Sequence, residues 1–204
     1  MMMQQLKSTS ELDITSNFFL SQLYTQRLWA QSAAFGVLLT SLVFGGIKDD
    51  AESIINGYFG EGSSLFSRKI ELEKAIKFPI EKEVKQRFYS SFVYAWTVTQ
   101  NDSIEGYALL DNVKGKSMPI TFIVLYNTDG SVVHSAVVKY REPIGGEVGR
   151  QSWLDQFLGK NSSSVYDEID AISGATISVN SVTRGINKLT LLLNVIKDEL
   201  IIHD

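Results

Sequence analysis

Asp170-Ala171-Ile172-Ser173-Gly174-Ala175-Thr176 sets a carboxylate, two hydroxyls and a glycine directly ahead of an apolar periodic run. Two kinds of chemistry fit that pattern. Ser173 or Thr176 could cap the helix that follows, with Gly174 supplying an unusual backbone angle and Asp170 standing in solvent. Alternatively, the free amides and dipole of a helix N-terminus form a site for a phosphate. Small neighbours such as Gly174 and Ala175 would then admit a bulky group. The Thr176 hydroxyl would touch that phosphate or be esterified by it, and residue chemistry alone does not choose between the two.

The rest of the inventory narrows the options. There are no cysteines and two histidines, His134 and His203, in 204 residues. Thiolate-held iron–sulfur clusters, zinc–cysteine sites and covalent c-type haem are excluded, and no metal site is expected. A redox role would need an organic cofactor. His134 falls in a strand pattern without a partner set and reads as a structural residue or a surface imidazole rather than a ligand. The formal charge of −4 comes with no basic stripe along the sequence, so nucleic acid is not expected as a partner.

The elements that must position the motif read as α+β: an antiparallel sheet with packed helices. Asp49 to Phe59 has helical spacing, with Ala51, Ile54, Ile55 and Tyr58 on one side, and Gly60 to Ser64 ends it. Glu71 to Phe88 is charged and mostly helical in pattern, with Pro79 expected to start a second helix. Phe92–Thr99, Gly106–Asp111, Pro119–Asn127 and Val132–Tyr140 read as a meander of four strands. Glu142 to Arg150 is a glycine-bearing loop, and Trp153 to Phe157 a short helix. The last helix, from about Ser178 to Ile202, repeats Val182, Ile186, Leu189, Leu193, Ile196 and Leu200 at spacings of four and three.

Ahead of these lies Leu28 to Ile47, without a formal charge and about as long as one helical bilayer crossing. It reads as a membrane anchor or a signal segment, against a buried helix as the plain alternative. The run of three methionines at the start raises the possibility of a downstream start codon, which favours a signal peptide. The expected division is 1–27 leader, 28–47 hydrophobic helix, 48–91 helical lead-in and 92–204 main domain.

The motif Asp170-x-x-Ser173-Gly174-Ala175-Thr176 resembles the flavinylation motif of FMN-binding domains in the covalently flavinylated subunits of sodium-pumping NADH:quinone reductase and of the Rnf electron-transport complex. Tyr140-Arg141-Glu142-Pro143-Ile144-Gly145-Gly146-Glu147, Trp153 to Lys160, and Lys114-Gly115-Lys116 with Pro119-Ile120-Thr121 are similar to segments of small FMN-binding proteins. Pro143-Ile144-Gly145-Gly146 departs from the usual Rnf loop, so a smaller stand-alone carrier fits better.

The resemblance implies FMN carried as a phosphoester on Thr176, installed by a FAD:protein FMN transferase. It implies that Ser173, Gly174 and Ala175 shape the recognition loop, with Asp170 presenting it. Glu142, Gly145 and Gly146 join them as cofactor-binding candidates, since the two glycines permit close backbone approach. Tyr140 and Trp153 are candidates to stack on the ring, Arg141 to pair with the phosphate or Glu142, and Lys114 and Lys116 to face an anionic partner.

The expected function is an electron carrier on the outer side of a bacterial cytoplasmic membrane, anchored there or exported after signal cleavage. Its partner would be a cytochrome b or a quinone-linked protein. The alternatives are a flavin reductase or dehydrogenase acting on NAD(P)H, for which no G-x-G-x-x-G motif is present, and a non-redox membrane-anchored module. A carrier or a component of a redox complex fits better than a stand-alone enzyme.

Overall fold

A computed structural model describes residues 46–201. Five strands form one antiparallel sheet in sequence order: β1 (Ser64–Glu71), β2 (Phe92–Gln100), β3 (Ser103–Lys114), β4 (Pro119–Asn127) and β5 (Val132–Lys139). Helix α1 occupies residues 46–59. Helices α2 (Lys74–Val84), α3 (Gln151–Leu154) and α4 (Thr176–Leu200) complete the helical elements, with short 3-10 turns at Gly146–Gly149 and Asp155–Phe157.

Alternation along the strands divides the core in two, because successive side chains point to opposite faces. On one face Ala95, Leu109, Phe122, Val124 and Tyr126 pack against Val182, Ile186, Leu189 and Leu193 of α4. On the other, Trp96, Val98, Ala108, Ile123 and Leu125 pack against Ala51 and Ile55 of α1. The expected apolar side of α1 is thus buried at Ala51 and Ile55, whereas Tyr58 stays half-exposed and stacks on His134, centroids 5.7 Å apart. Burial lowers the His134 pKa below its ordinary value.

The meander has one more strand than the sequence pattern predicts. Strand β1 pairs with β2 from Ser64↔Thr99 to Glu71↔Phe92. It is an edge strand with six of its eight residues exposed, so it lacks the alternation by which a half-buried strand is read. Residues 48–91 are accordingly not a purely helical lead-in. They belong to the same compact unit as the other described residues from Ile47 onward.

Pro79 lies inside α2 rather than opening a second helix. The lost hydrogen bond is tolerated because buried Ile80 and Val84 anchor the following turn. Helix α4 starts two residues earlier than predicted. Its C-terminal carbonyls are held by the sheet: Arg68 donates to Glu199 O at 2.6 Å and Thr97 to Leu200 O at 2.7 Å.

The predicted hydrophobic helix at 28–47 lies almost wholly outside the described residues. No helix among the described residues is long and apolar enough to cross a membrane.

Candidate functional site

The N-terminus of α4 faces a cleft of about 410 Å³ with three walls. Gly174, Ala175, Thr176, Ile177 and Ser178 form one, the β3–β4 turn at Lys116 and Ser117 a second, and Glu142, Pro143 and Ile144 the third. That volume lies in the range of small-molecule sites.

The segment ahead of Thr176 is ordered from both sides. Trp153 Nε1 donates to Asp170 O at 2.8 Å, and Asp170 N donates to Gln156 Oε1 at 2.9 Å. Ile169 and Ile172 pack on the core. Ala175 N then donates to Ile172 O at 3.0 Å, closing a turn through Gly174, whose φ of +79° is a left-handed conformation that favours glycine.

Ala175 is the N-cap of α4, and no side chain caps the helix. Neither Ser173 nor Thr176 therefore has the capping role that residue type allows. The first amide bonded to this end is Val179 N, to Ala175 O at 2.9 Å. The amides of Thr176, Ile177 and Ser178 thus lack intrahelical acceptors. Thr176 is exposed beside them, at the positive end of a 25-residue helix.

The third wall is fixed by two contacts. Tyr140 Oη donates to Ile144 O at 2.5 Å and lies 3.0 Å from Ser178 Oγ, joining the loop to the first turn of α4. Gly145 sits between them with φ +88°, and a Cβ there would meet Tyr140 Oη at 2.8 Å and Ser178 Oγ at 3.1 Å. Both backbone angle and space therefore demand glycine. Glu142 Oε1 accepts from Ser117 N at 2.8 Å and Met118 N at 3.1 Å. These amides, Ser117 foremost, hold its carboxyl below the ordinary carboxylate range.

The structure thus brings Thr176, Ala175, Gly174 and Glu142 into one cleft. Ser173, Asp170, Gly145 and Gly146 do not line it: Asp170 is anchored through its backbone, and Gly145 and Gly146 pack behind the loop against Tyr140. Trp153 is buried and packs edge-on to Phe157, so it offers no ring face to a ligand. Arg141 donates to Pro119 O at 3.1 Å and Thr121 Oγ1 at 2.9 Å, pairing with neither phosphate site nor Glu142. Lys116 lines the cleft, whereas Lys114 does not.

Sequence reasoning missed the apolar rim. Ile144 is 74% exposed and Ile177 49%, both lining the cleft, with Met118 nearby at 45%. Large exposed aliphatics in a loop and on the outer face of a helix start are the signal that could have found them.

Residues 115–190 match the family model of the FMN-binding domain. The chain thus resembles FMN-binding-domain proteins over that segment. It is similar to one subunit of the Na(+)-translocating NADH-quinone reductase of Vibrio alginolyticus, with 29% identity over 157 residues, covering 62% of this chain and 59% of that relative. The matched domain runs from the β3–β4 turn into α4 and so contains all three walls of the cleft. The residues fit FMN: three free amides and Lys116 suit its phosphate, and Pro143, Ile144 and Ile177 offer apolar surface to its ring.

Proposed function

We propose that the protein is an electron-transfer flavoprotein that carries FMN as a phosphoester on Thr176. The observation that carries this reading is the uncapped start of α4, where an exposed threonine hydroxyl adjoins three amides without intrahelical acceptors. A helix start whose only task is to begin a helix gains about 1 kcal/mol from a capping side chain. This one forgoes it and leaves the amides open to an anion.

When bound, FMN supplies one- and two-electron chemistry. The chain's own residues hold and orient it. The amides of Thr176, Ile177 and Ser178 receive the phosphate oxygens, and Lys116 offsets their charge. Glu142 fixes the β3–β4 turn through the Ser117 and Met118 amides, so that Lys116 stays on the cleft wall. Ile144, Pro143 and Ile177 exclude water from one side of the ring. The attachment makes the Thr176 Oγ–phosphorus bond and breaks the pyrophosphate of FAD, releasing AMP, with a FAD:protein FMN transferase as catalyst.

In this reading the domain works on the outer side of a bacterial cytoplasmic membrane, anchored or exported through residues 28–47. It relays electrons between a membrane redox protein, a cytochrome b or a quinone-linked partner, and an acceptor. The length and apolar character of that segment support the location. The similarity to a component of a quinone reductase supports the redox role.

Intact mass of protein co-expressed with the transferase tests the assignment. The expected result is a gain of one FMN residue that is absent from Thr176→Ala. An unmodified wild-type chain, with the transferase shown active on another substrate, would refute it.

A further inference from the structure

Six exposed cations meet on the side of the domain next to the cleft: Lys82, Lys85 and Arg87 around the end of α2, Lys114 and Lys116 at the β3–β4 turn, and Arg184 on α4. Three distant segments bring them together. Gln86 Nε2 donates to Ser181 O at 3.0 Å, and Ser181 Oγ donates to Lys114 O at 2.7 Å. Arg184 follows Ser181 by about one helical turn. The α2 end therefore abuts the same stretch of α4 that receives the β3–β4 turn, and the six cations lie as a band along these neighbouring segments.

One end of the band is Lys116, inside the cleft. The other borders a surface groove of about 590 Å³ that includes Lys82, Lys85 and Arg87, with Phe78 at its edge 67% exposed.

The band is not closed by ion pairs. None of the six has a carboxylate within 4.0 Å among the described residues. Of the neighbouring acids, Glu81 is taken by Lys77 and the Phe88 amide, and Glu142 by the Ser117 and Met118 amides. Glu83, next to Lys82 in α2, is exposed. The band lies on a chain of formal charge −4, so the molecule carries its positive charge unevenly.

We propose that this band is the docking surface for an acidic redox protein, which it guides to the flavin at the cleft. The inference rests on the assignment of FMN to Thr176 for its electron-transfer role, but the docking itself does not need the flavin. Charge complementarity of this kind acts mainly on encounter rate, and it fades as salt shortens the screening length. An exposed aromatic such as Phe78 beside the cations gives the partner an apolar contact once it has docked.

The test uses the holoprotein and a triple variant, K82E/K85E/R87E, whose changes lie outside the cleft. Flavodoxin hydroquinone serves as an acidic donor probe. One electron passes to the holoprotein flavin and leaves flavodoxin semiquinone. At low ionic strength the triple variant should react roughly tenfold more slowly or worse, and the gap should close as salt rises. Reoxidation of the reduced holoprotein by benzoquinone, a small neutral acceptor, should be unchanged.

K114E/R184E provides a second variant should the first fail to fold. Anisotropy of labelled flavodoxin titrated with flavin-free Thr176→Ala protein separates the two claims: salt-sensitive binding abolished by the α2 reversals supports docking even if no flavin is ever attached. Equal flavodoxin rates and equal binding for wild type and variants would overturn the proposal. Loss of binding to anionic lipid vesicles with the flavodoxin rate intact would also overturn it and assign the band to a lipid surface.

Discussion

Lys188 and Asp111 form an ion pair inside the core, with side chains 0% and 2% exposed and Nζ 3.1 Å from Oδ2. Lys188 Nζ also donates to Arg87 O at 3.2 Å and lies 4.5 Å from the Phe88 ring centroid. The pair joins α4, β3 and the segment after α2. Burial pushes the Asp111 pKa up and the Lys188 pKa down, with each partner's charge pulling the other back. Lys188→Met would leave Asp111 buried and alone, at a cost of about 3–5 kcal/mol. In a unit of this size each kcal/mol moves Tm by about 2–4 °C, so the drop should be roughly 6–20 °C. Without Lys188 the folded-state pKa of Asp111 rises further above the unfolded value. The folded state then binds more protons than the unfolded one, and stability falls as pH rises through that raised pKa. The variant should therefore lose more at pH 7 than at pH 5. Replacing both partners, Asp111→Leu with Lys188→Met, should be neutral or stabilising by about 1–4 kcal/mol. Urea denaturation of the four proteins gives the coupling energy, provided that the m-values agree. A Lys188→Met cost below about 1 kcal/mol, or a double variant as unstable as the two single effects added, would refute the reasoning.

Other expectations concern the cleft. Tyr140→Phe should cost about 1 kcal/mol by urea denaturation and should raise flavin mobility by fluorescence anisotropy, because the loop at Ile144 loses its tie to Ser178; unchanged anisotropy would remove Tyr140 as a positioning residue. Gly145→Ala should cost about 1–2 kcal/mol from backbone angle alone and give the same flavin phenotype, since its methyl group would displace the Tyr140 hydroxyl. Glu142 titrates below its ordinary value of 4.5 in the fold, so its contribution is present above that pH and is lost as pH falls through the lowered pKa. Wild-type flavin fluorescence should change over that acidic interval, whereas a Glu142→Gln variant should show no such transition.

The motif around Thr176 was legible because its chemistry is local. Its hydroxyl, its small neighbours and the apolar stripe of α4 lie in one stretch of chain, and four of the five strands declare themselves by composition. Strand β1 did not, because an edge strand is held by its partner's ladder and leaves most of its side chains in water.

The roles of single residues also depended on long-range contacts. Glu142 resembles a ligand-binding carboxylate in sequence, but the fold spends it on two amides more than twenty residues away. Arg141 resembles a phosphate partner, but the fold points it at the start of β4. Lys188 sits beside an apolar stripe and would ordinarily be read as solvated, yet the core closes over it because β3 supplies a carboxylate. The cationic band draws on three separate segments, and no window of sequence contains it. Sequence by itself determined which hydroxyl stands at a helix start and which helix follows it. Only the tertiary structure decided which charges remain free around that point, because pairing and burial are set by neighbours distant along the chain.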